Sequence, residues 1–185
     1  MKIKIIEPNR SLLNSLNRYL ETKGNIISLA FDGVIAVNEF ENDTDLIIID
    51  STSPRIEYEE VIDLLKKKKE NLRVFVILDS FDIPVEILAS NLNVDEYFPL
   101  PFRAQEFDFC LEKLKYTRPN NNLTIREEYL LELLEKNDVV LMADIDKKIY
   151  RHEMMPIYIE SINSKLKGKK IIKEEKGFKL VSNND

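Results

Sequence analysis

Residues 45–50 read Asp-Leu-Ile-Ile-Ile-Asp, and this stretch decides the fold. A strand with one wet face alternates polar and apolar residues. Four consecutive aliphatics closed by acids instead describe a strand covered on both faces. Residues 74–78, Val-Phe-Val-Ile-Leu, repeat the pattern. Upstream, Lys2-Ile-Lys-Ile-Ile6 is a short strand that ends at Glu7-Pro8-Asn9. Residues 11–22 place Leu12, Leu13, Leu16, Tyr19 and Leu20 at helical spacing. A brief strand over 25–29 and a helix over 32–40 follow. Downstream, 58–69 predicts a helix with Val61, Ile62, Leu64 and Leu65 inward. Its lysine tail, Lys66–Lys69, suits a helix C-terminus. A short helix over 85–91, a strand over 96–98 and a helix over 104–116 complete the series. This alternation predicts an α/β fold: a doubly wound, five-stranded parallel sheet with helices on both faces.

Such sheets place their sites beyond the carboxyl ends of the strands. The residues expected there are Glu7, Asp50, Asp79, Ser80 and Leu100. A carboxylate at a strand end accepts a phosphoryl group when a metal and a cation neutralise the developing charge. Asp50 supplies the acceptor and Glu7 one acid. Asp79 adds negative charge where a hydroxyl would serve better, and Phe98-Pro-Leu-Pro-Phe102 offers no cation. Two readings stay open at this point: phosphoryl acceptance or metal binding at Asp50, or acids with no chemistry.

Residues 117–122, Thr-Arg-Pro-Asn-Asn-Asn, form the natural boundary. They divide a domain over 1–115 from one over 123–185, with 116–122 as linker. After the boundary, Thr124 followed by Glu127 is a capping box opening a helix that runs to Lys136. A second short helix is expected over 144–150 and a third from Pro156. A hairpin over 170–181 follows, turning at Glu174-Glu-Lys-Gly177. Three helices and a terminal hairpin predict a small winged helix-turn-helix domain.

Composition bounds the function. The 185 residues are 44% hydrophobic and 32% charged, with only 4 Gly, which is the composition of a folded chain. One cysteine, Cys110, excludes an internal disulfide and a cysteine-based zinc site. One histidine, His152, has no ligand partner at metal-binding spacing. No metal, cofactor or metabolic chemistry is expected. The apolar start is too short for a secretory signal and no run is long enough to span a bilayer, so a cytoplasmic protein with no membrane partner is expected. Net charge is -6, unevenly spread. Residues 1–115 carry 14 Lys/Arg against 21 Asp/Glu, and residues 116–185 carry 13 against 12. Seven lysines fall between Lys165 and Lys179. Such a cluster is either a nucleic-acid footprint or a solvated face.

The motifs IKIIEPN, DLIIID, VFVILDS and above all NVDEYFPLPF (93–102) resemble the receiver domain of two-component response regulators. LTIREEYLLELLEKNDVV, IYIESINSKLKG and IIKEEKGFKL resemble the winged-helix effector of the OmpR/PhoB class. The resemblance implies that Asp50 matches the phosphoacceptor, Tyr97 the aromatic switch and Glu7 one of two magnesium-binding acids. Asp79, with Ser80 beside it, stands at the hydroxyl position, and Leu100 stands at the lysine position. With an acid, the hydroxyl and the lysine replaced, the site looks like a pseudo-receiver. The family's dimer face implies Asp95, Phe107, Cys110 and Leu111 as interface residues, with Cys110 where an arginine would stand. The effector half looks truncated: the family's opening antiparallel sheet is missing, and the loop that in relatives touches RNA polymerase is cut to 151–155.

The helix over 156–167 would then be the recognition helix. Tyr158, Glu160, Ser161, Asn163 and Ser164 are expected to face outward, with Asn163 reading adenine and Glu160 cytosine. Lys165, Lys167, Lys169 and Lys170 are expected on the phosphate backbone, and Lys176 at the wing tip. The expected function is a phosphorylation-independent, homodimeric transcriptional regulator that binds double-stranded DNA, with RNA polymerase or another regulator as further partner. The competing expectation is a protein-interaction adaptor whose winged helix no longer binds DNA.

Overall fold

A computed structural model describes residues 1–80, 93–116 and 122–182. These divide into two compact units, one of residues 1–80 with 93–100, the other of 101–116 with 122–182.

The first unit is built on five parallel strands: β1 (Lys2–Ile6), β2 (Ile26–Ala30), β3 (Leu46–Asp50), β4 (Arg73–Leu78) and β5 (Glu96–Pro99). Their order is β2-β1-β3-β4-β5, the doubly wound arrangement expected. The continuous apolar runs lie where they were expected. Every residue of β3 is buried, and so are five of the six in β4. Fully burying each of Ile47, Ile48 and Ile49 contributes roughly 1.5–3 kcal/mol.

Helices α1 (Arg10–Thr22), α2 (Gly33–Asn38) and α3 (Tyr58–Lys68) flank this sheet. Asn9 caps α1, its side chain accepting from the Ser11 and Leu12 N–H groups. Leu13, Leu16 and Leu20 form the buried stripe. Asp32 caps α2 by accepting from the Ile35 N–H at 2.8 Å. Gly33 is required where α2 meets α3, because a Cβ there would stand 2.4 Å from Val61 Cγ2. The helix expected over 85–91 lies outside the described residues.

The second unit holds α4 (Ala104–Leu114), α5 (Ile125–Lys136) and α6 (Met155–Lys165), the last preceded by a 3-10 turn over His152–Met154. A three-stranded antiparallel sheet completes it: β6 (Val140–Leu141), β8 (Gly177–Ser182) and β7 (Lys169–Lys173), in the order β6-β8-β7. The capping box closes as expected. The Thr124 N–H donates to Glu127 Oε2 at 2.7 Å, and the Glu127 N–H donates back to Thr124 Oγ1. The hairpin is also present. Gly177 lies so close to β6 that a Cβ would stand 2.2 Å from the Val140 carbonyl oxygen.

Two features differ from expectation. The helix expected over 144–150 is a run of turns. Asp146 ends it locally: its carboxylate accepts from the Lys148 N–H, and its carbonyl accepts from the Ile149 and Tyr150 N–H groups. This is the side-chain competition that disfavours helices at Asp. The second difference is α4, which groups with the second unit, whereas the sequence put the boundary at 116–122. Among the described residues no helix is long and apolar enough to cross a membrane.

Candidate functional site

In the first unit, the carboxyl edge of the sheet gathers Glu7, Asp50, Asp79, Ser80 and Leu100. Glu7 follows β1 and Asp50 ends β3, on adjacent strands that pair Ile6 with Ile49. Both acids are buried, at 1% and 4% exposure. Glu7 Oε1 accepts from the Asn9 N–H at 2.7 Å. Glu7 Oε2 is buried with no hydrogen-bond partner. Burial pushes the Glu7 carboxyl up to about 7, and the adjoining Asp50 carboxylate adds to the shift against the pull of the Asn9 N–H. Near neutral pH Glu7 therefore carries a proton for a large fraction of the time.

Asp50 is held by its own chain. Its Oδ1 accepts from the Thr52 N–H at 2.6 Å and from the Thr52 hydroxyl. Nothing in the sequence singled out Thr52, because an Asx-turn partner two residues on looks like any loop residue. Asp79 and Ser80 are exposed beyond β4, Leu100 is half-buried after β5, and Tyr97 is buried within β5. Among the described residues no group of three His, Cys, Asp or Glu side chains could hold a metal ion. With the Glu7 carboxyl pushed up to about 7, Asp50 Oδ1 engaged by Thr52 and no third ligand beside them among the described residues, these residues do not fit the magnesium site that the resemblance implies.

The residues expected on a dimer face lie elsewhere. Asp95 is buried and bonds within the first unit, to Arg73 Nη1 at 2.7 Å and to the Val74 N–H at 2.7 Å. Burial pushes its carboxyl up, opposed by the Arg73 guanidinium. Phe107, Cys110 and Leu111 are the buried residues of α4 rather than an outward set, at 1%, 0% and 6% exposure.

In the second unit the expected DNA-reading residues divide in two. Tyr158 and Ser161 are buried, not outward. The Tyr158 ring meets Tyr150 edge-on at 5.8 Å, Tyr150 stacks on Tyr129 at 6.5 Å, and the Arg126 guanidinium lies over Tyr158 at 5.3 Å. Asn163 is spent on the fold. Its Nδ2 donates to the Ile171 carbonyl at 3.0 Å and its Oδ1 accepts from the Ile171 N–H at 2.6 Å, clamping α6 to β7. Lys165 is bonded to Glu127 Oε2 at 2.7 Å, and Lys169 to Glu135 Oε1 at 3.2 Å. Ser164 donates to the Ser161 carbonyl. Glu160, Lys167, Lys170, Lys173 and Lys176 are exposed, and no ion pair among the described residues holds these four lysines.

Sequence reading missed the buried charge at the base of this unit. Glu106 on α4 is fully buried and meets Arg151 Nε at 2.7 Å and Arg126 Nη1 at 3.6 Å. Arg151 also donates to the Pro101 carbonyl. The only signal available was polar residues on the inner side of apolar stripes, which a solvated helix face produces as readily.

No protein-family model matches the chain. It is similar to response regulator MprA of Mycobacterium avium (strain 104), 28% identical over 124 residues that cover 66% of this chain and 54% of that protein. It is also similar to the transcriptional regulatory protein TctD of Salmonella typhimurium (strain LT2), 27% identical over 115 residues, 62% of this chain and 51% of that one. The chain thus spans about half the length of the curated relatives it matches. Among solved structures, the non-phosphorylated HemR receiver domain from Leptospira biflexa matches with TM-score 0.57 and 24% identity, covering 64% of this chain and 98% of that one. A RitR mutant matches with TM-score 0.60 and 18% identity, covering 98% of this chain and 99% of that one. These likenesses show a receiver-like fold, and the sequence relatives are response regulators.

Proposed function

We propose that this chain is a DNA-binding transcriptional regulator whose activity does not require phosphorylation, with a pseudo-receiver as its first part and a shortened winged helix as its second. The observation that carries the reading is the row of exposed lysines, Lys167, Lys170, Lys173 and Lys176, running from the end of α6 along one hairpin. An acidic chain binds DNA only through its positive groups, and these four exposed lysines fall within ten residues of one another in sequence. Phosphate contacts then dominate, and affinity falls steeply with salt. Titration of duplexes enriched from a random pool, at two salt concentrations, tests this. Lys167→Ala and Lys176→Ala should each weaken binding on all sequences alike and lower the salt slope by about 1. No enrichment, together with no binding to any duplex at low salt, would sink the reading.

One observation favours a second reading. Tyr158, Ser161 and Asn163 are withdrawn from the surface, which leaves Glu160 and Ser164 as the exposed side chains of α6 for reading bases. A protein-interaction adaptor, acting on RNA polymerase or another regulator, fits a surface that touches phosphates weakly or not at all. The DNA titration separates the two.

The same reading expects no stable acyl phosphate at Asp50. Thr52 occupies one oxygen of the acceptor, Leu100 supplies no cation and Asp79 no hydroxyl. Intact mass after treatment with a small phosphodonor and Mg²⁺ should be unchanged. A near-stoichiometric gain of one phosphoryl group, abolished by Asp50→Asn, would contradict it.

A further inference from the structure

Helix α6 is the element that would read bases, because a recognition helix sets its N-terminal residues against base edges in the major groove. Selective reading needs a side chain that makes two bonds to one base. Arginine or lysine does so on guanine, and asparagine or glutamine on adenine. From residue 152 to residue 182 the chain has no arginine and no glutamine, and its one asparagine is Asn163. Both polar atoms of Asn163 are held by the Ile171 backbone. Arginines elsewhere in the unit do not make up the loss. Arg126 and Arg151 are buried against Glu106, and Arg103 donates to the Lys147 carbonyl.

The exposed residues of α6 are Pro156, Glu160 and Ser164. Proline has no group to offer a base. A serine hydroxyl bonds to any of the four, so it selects none. Glu160 can accept from cytosine, and it is the one selective group in the set. Charge works against its use. Residues 152–164 hold two acids, Glu153 and Glu160, both exposed, and no lysine or arginine. The major groove runs between two rows of phosphates, so seating this stretch there would bring like charges together. The cations come only afterwards, as seven lysines from Lys165 to Lys179. Lys165 and Lys169 are bonded to Glu127 and Glu135, while Lys167, Lys170, Lys173 and Lys176 are exposed. An ammonium on a flexible stem meets a phosphate as a point charge, with no fork to match a base edge.

We propose that this chain holds duplex DNA by its phosphates and reads no base, so that its ligand is a duplex of any sequence. The inference rests on the DNA-binding reading and deepens it, since that reading alone leaves a preferred sequence open. Lysines at the end of α6 and on the hairpin supply the affinity, and α6 itself stays out of the groove. Wherever this chain acts on a genome, the choice of site is then made by something other than α6.

Selection from a random duplex pool with the full chain, followed by titration of several unrelated mixed-sequence duplexes of one length, tests it. No base should be enriched at any position. Dissociation constants at physiological salt should agree within about threefold and lie on the order of 10⁻⁶–10⁻⁴ M, with one salt slope for every duplex. A base-reading protein behaves otherwise, each wrong base pair costing it about 5- to 150-fold. Removing the two outward polar groups of α6 together, Glu160→Ala with Ser164→Ala, should leave affinity unchanged or raise it by one common factor on all duplexes. An enriched motif bound tenfold or more above a random duplex would overturn the inference and leave the DNA-binding reading standing. So would a loss in the double variant confined to some sequences. No binding to any duplex at low salt would remove that reading, and the inference with it.

Discussion

Glu7→Gln is expected to stabilise the chain at pH 8 by about 1–3 kcal/mol and to leave it nearly unchanged at pH 5. Glu7 is 1% exposed, and its carboxyl is pushed up to about 7 by burial and by Asp50. In the unfolded chain the same carboxyl titrates near 4.5. Between those values the folded state holds a proton that the unfolded state has released. Stability is therefore fullest below about 4.5 and is lost as pH rises through 7. Glutamine keeps the bond from the Asn9 N–H on its Oε1 and offers Asp50 an N–H₂ that never ionises. Chemical denaturation followed from pH 5 to pH 8 should show a falling stability for wild type and a flatter profile for the variant. Parallel profiles for the two proteins would show that Glu7 ionises without penalty.

Glu106→Ala should have the largest effect on the second unit. It removes the carboxylate that faces both Arg126 and Arg151, which are 1% and 6% exposed. Breaking a buried ionic group from one side costs about 3–5 kcal/mol, because the remaining charge stays desolvated without its counter-ion. Arg103→Ala is the control. Its guanidinium is half exposed and 3.8 Å from the same carboxylate, so its loss should cost about 0–1 kcal/mol. The chain has no tryptophan, and Tyr129, Tyr150 and Tyr158 pack ring against ring in this unit, so near-ultraviolet dichroism reports on it. A Glu106→Ala variant within 1 kcal/mol of wild type would mean that water or another group already compensates the arginines.

The parallel sheet was legible because Leu46–Ile49 and Val74–Leu78 are runs of one kind of residue, and a run states burial without any partner being known. The capping box was legible for a similar reason: Thr124 and Glu127 satisfy each other within one turn. What was not legible needed a partner from afar. Asn163 looks like a base-reading side chain until Ile171 is seen to take both of its polar atoms. Tyr158 looks outward until Tyr150 and Arg126 are brought against it. The segment 144–150 imitates a helix because Ile145, Ile149 and Tyr150 are buried at helix-like spacing, yet a turn at Asp146 buries them as well. Asp50 and Glu7 were found in sequence, but the upward shift of the Glu7 carboxyl was not, since it depends on burial and on Asp50 standing beside it.

The attachment of Glu106 to Arg126 and Arg151 bears on where this chain can be cut. Its polar, asparagine-rich stretch at 117–122 invites cleavage into a front and a back piece. A back piece beginning there would leave two guanidinium groups inside a small protein with no acid to face them, and the front piece would carry away the acid that belonged to them. The fragment whose internal charges close begins at Pro101, whose carbonyl Arg151 also holds. A nick within 117–122 would therefore leave α4 and the rest of its unit held together by salt bridges rather than release a free C-terminal domain.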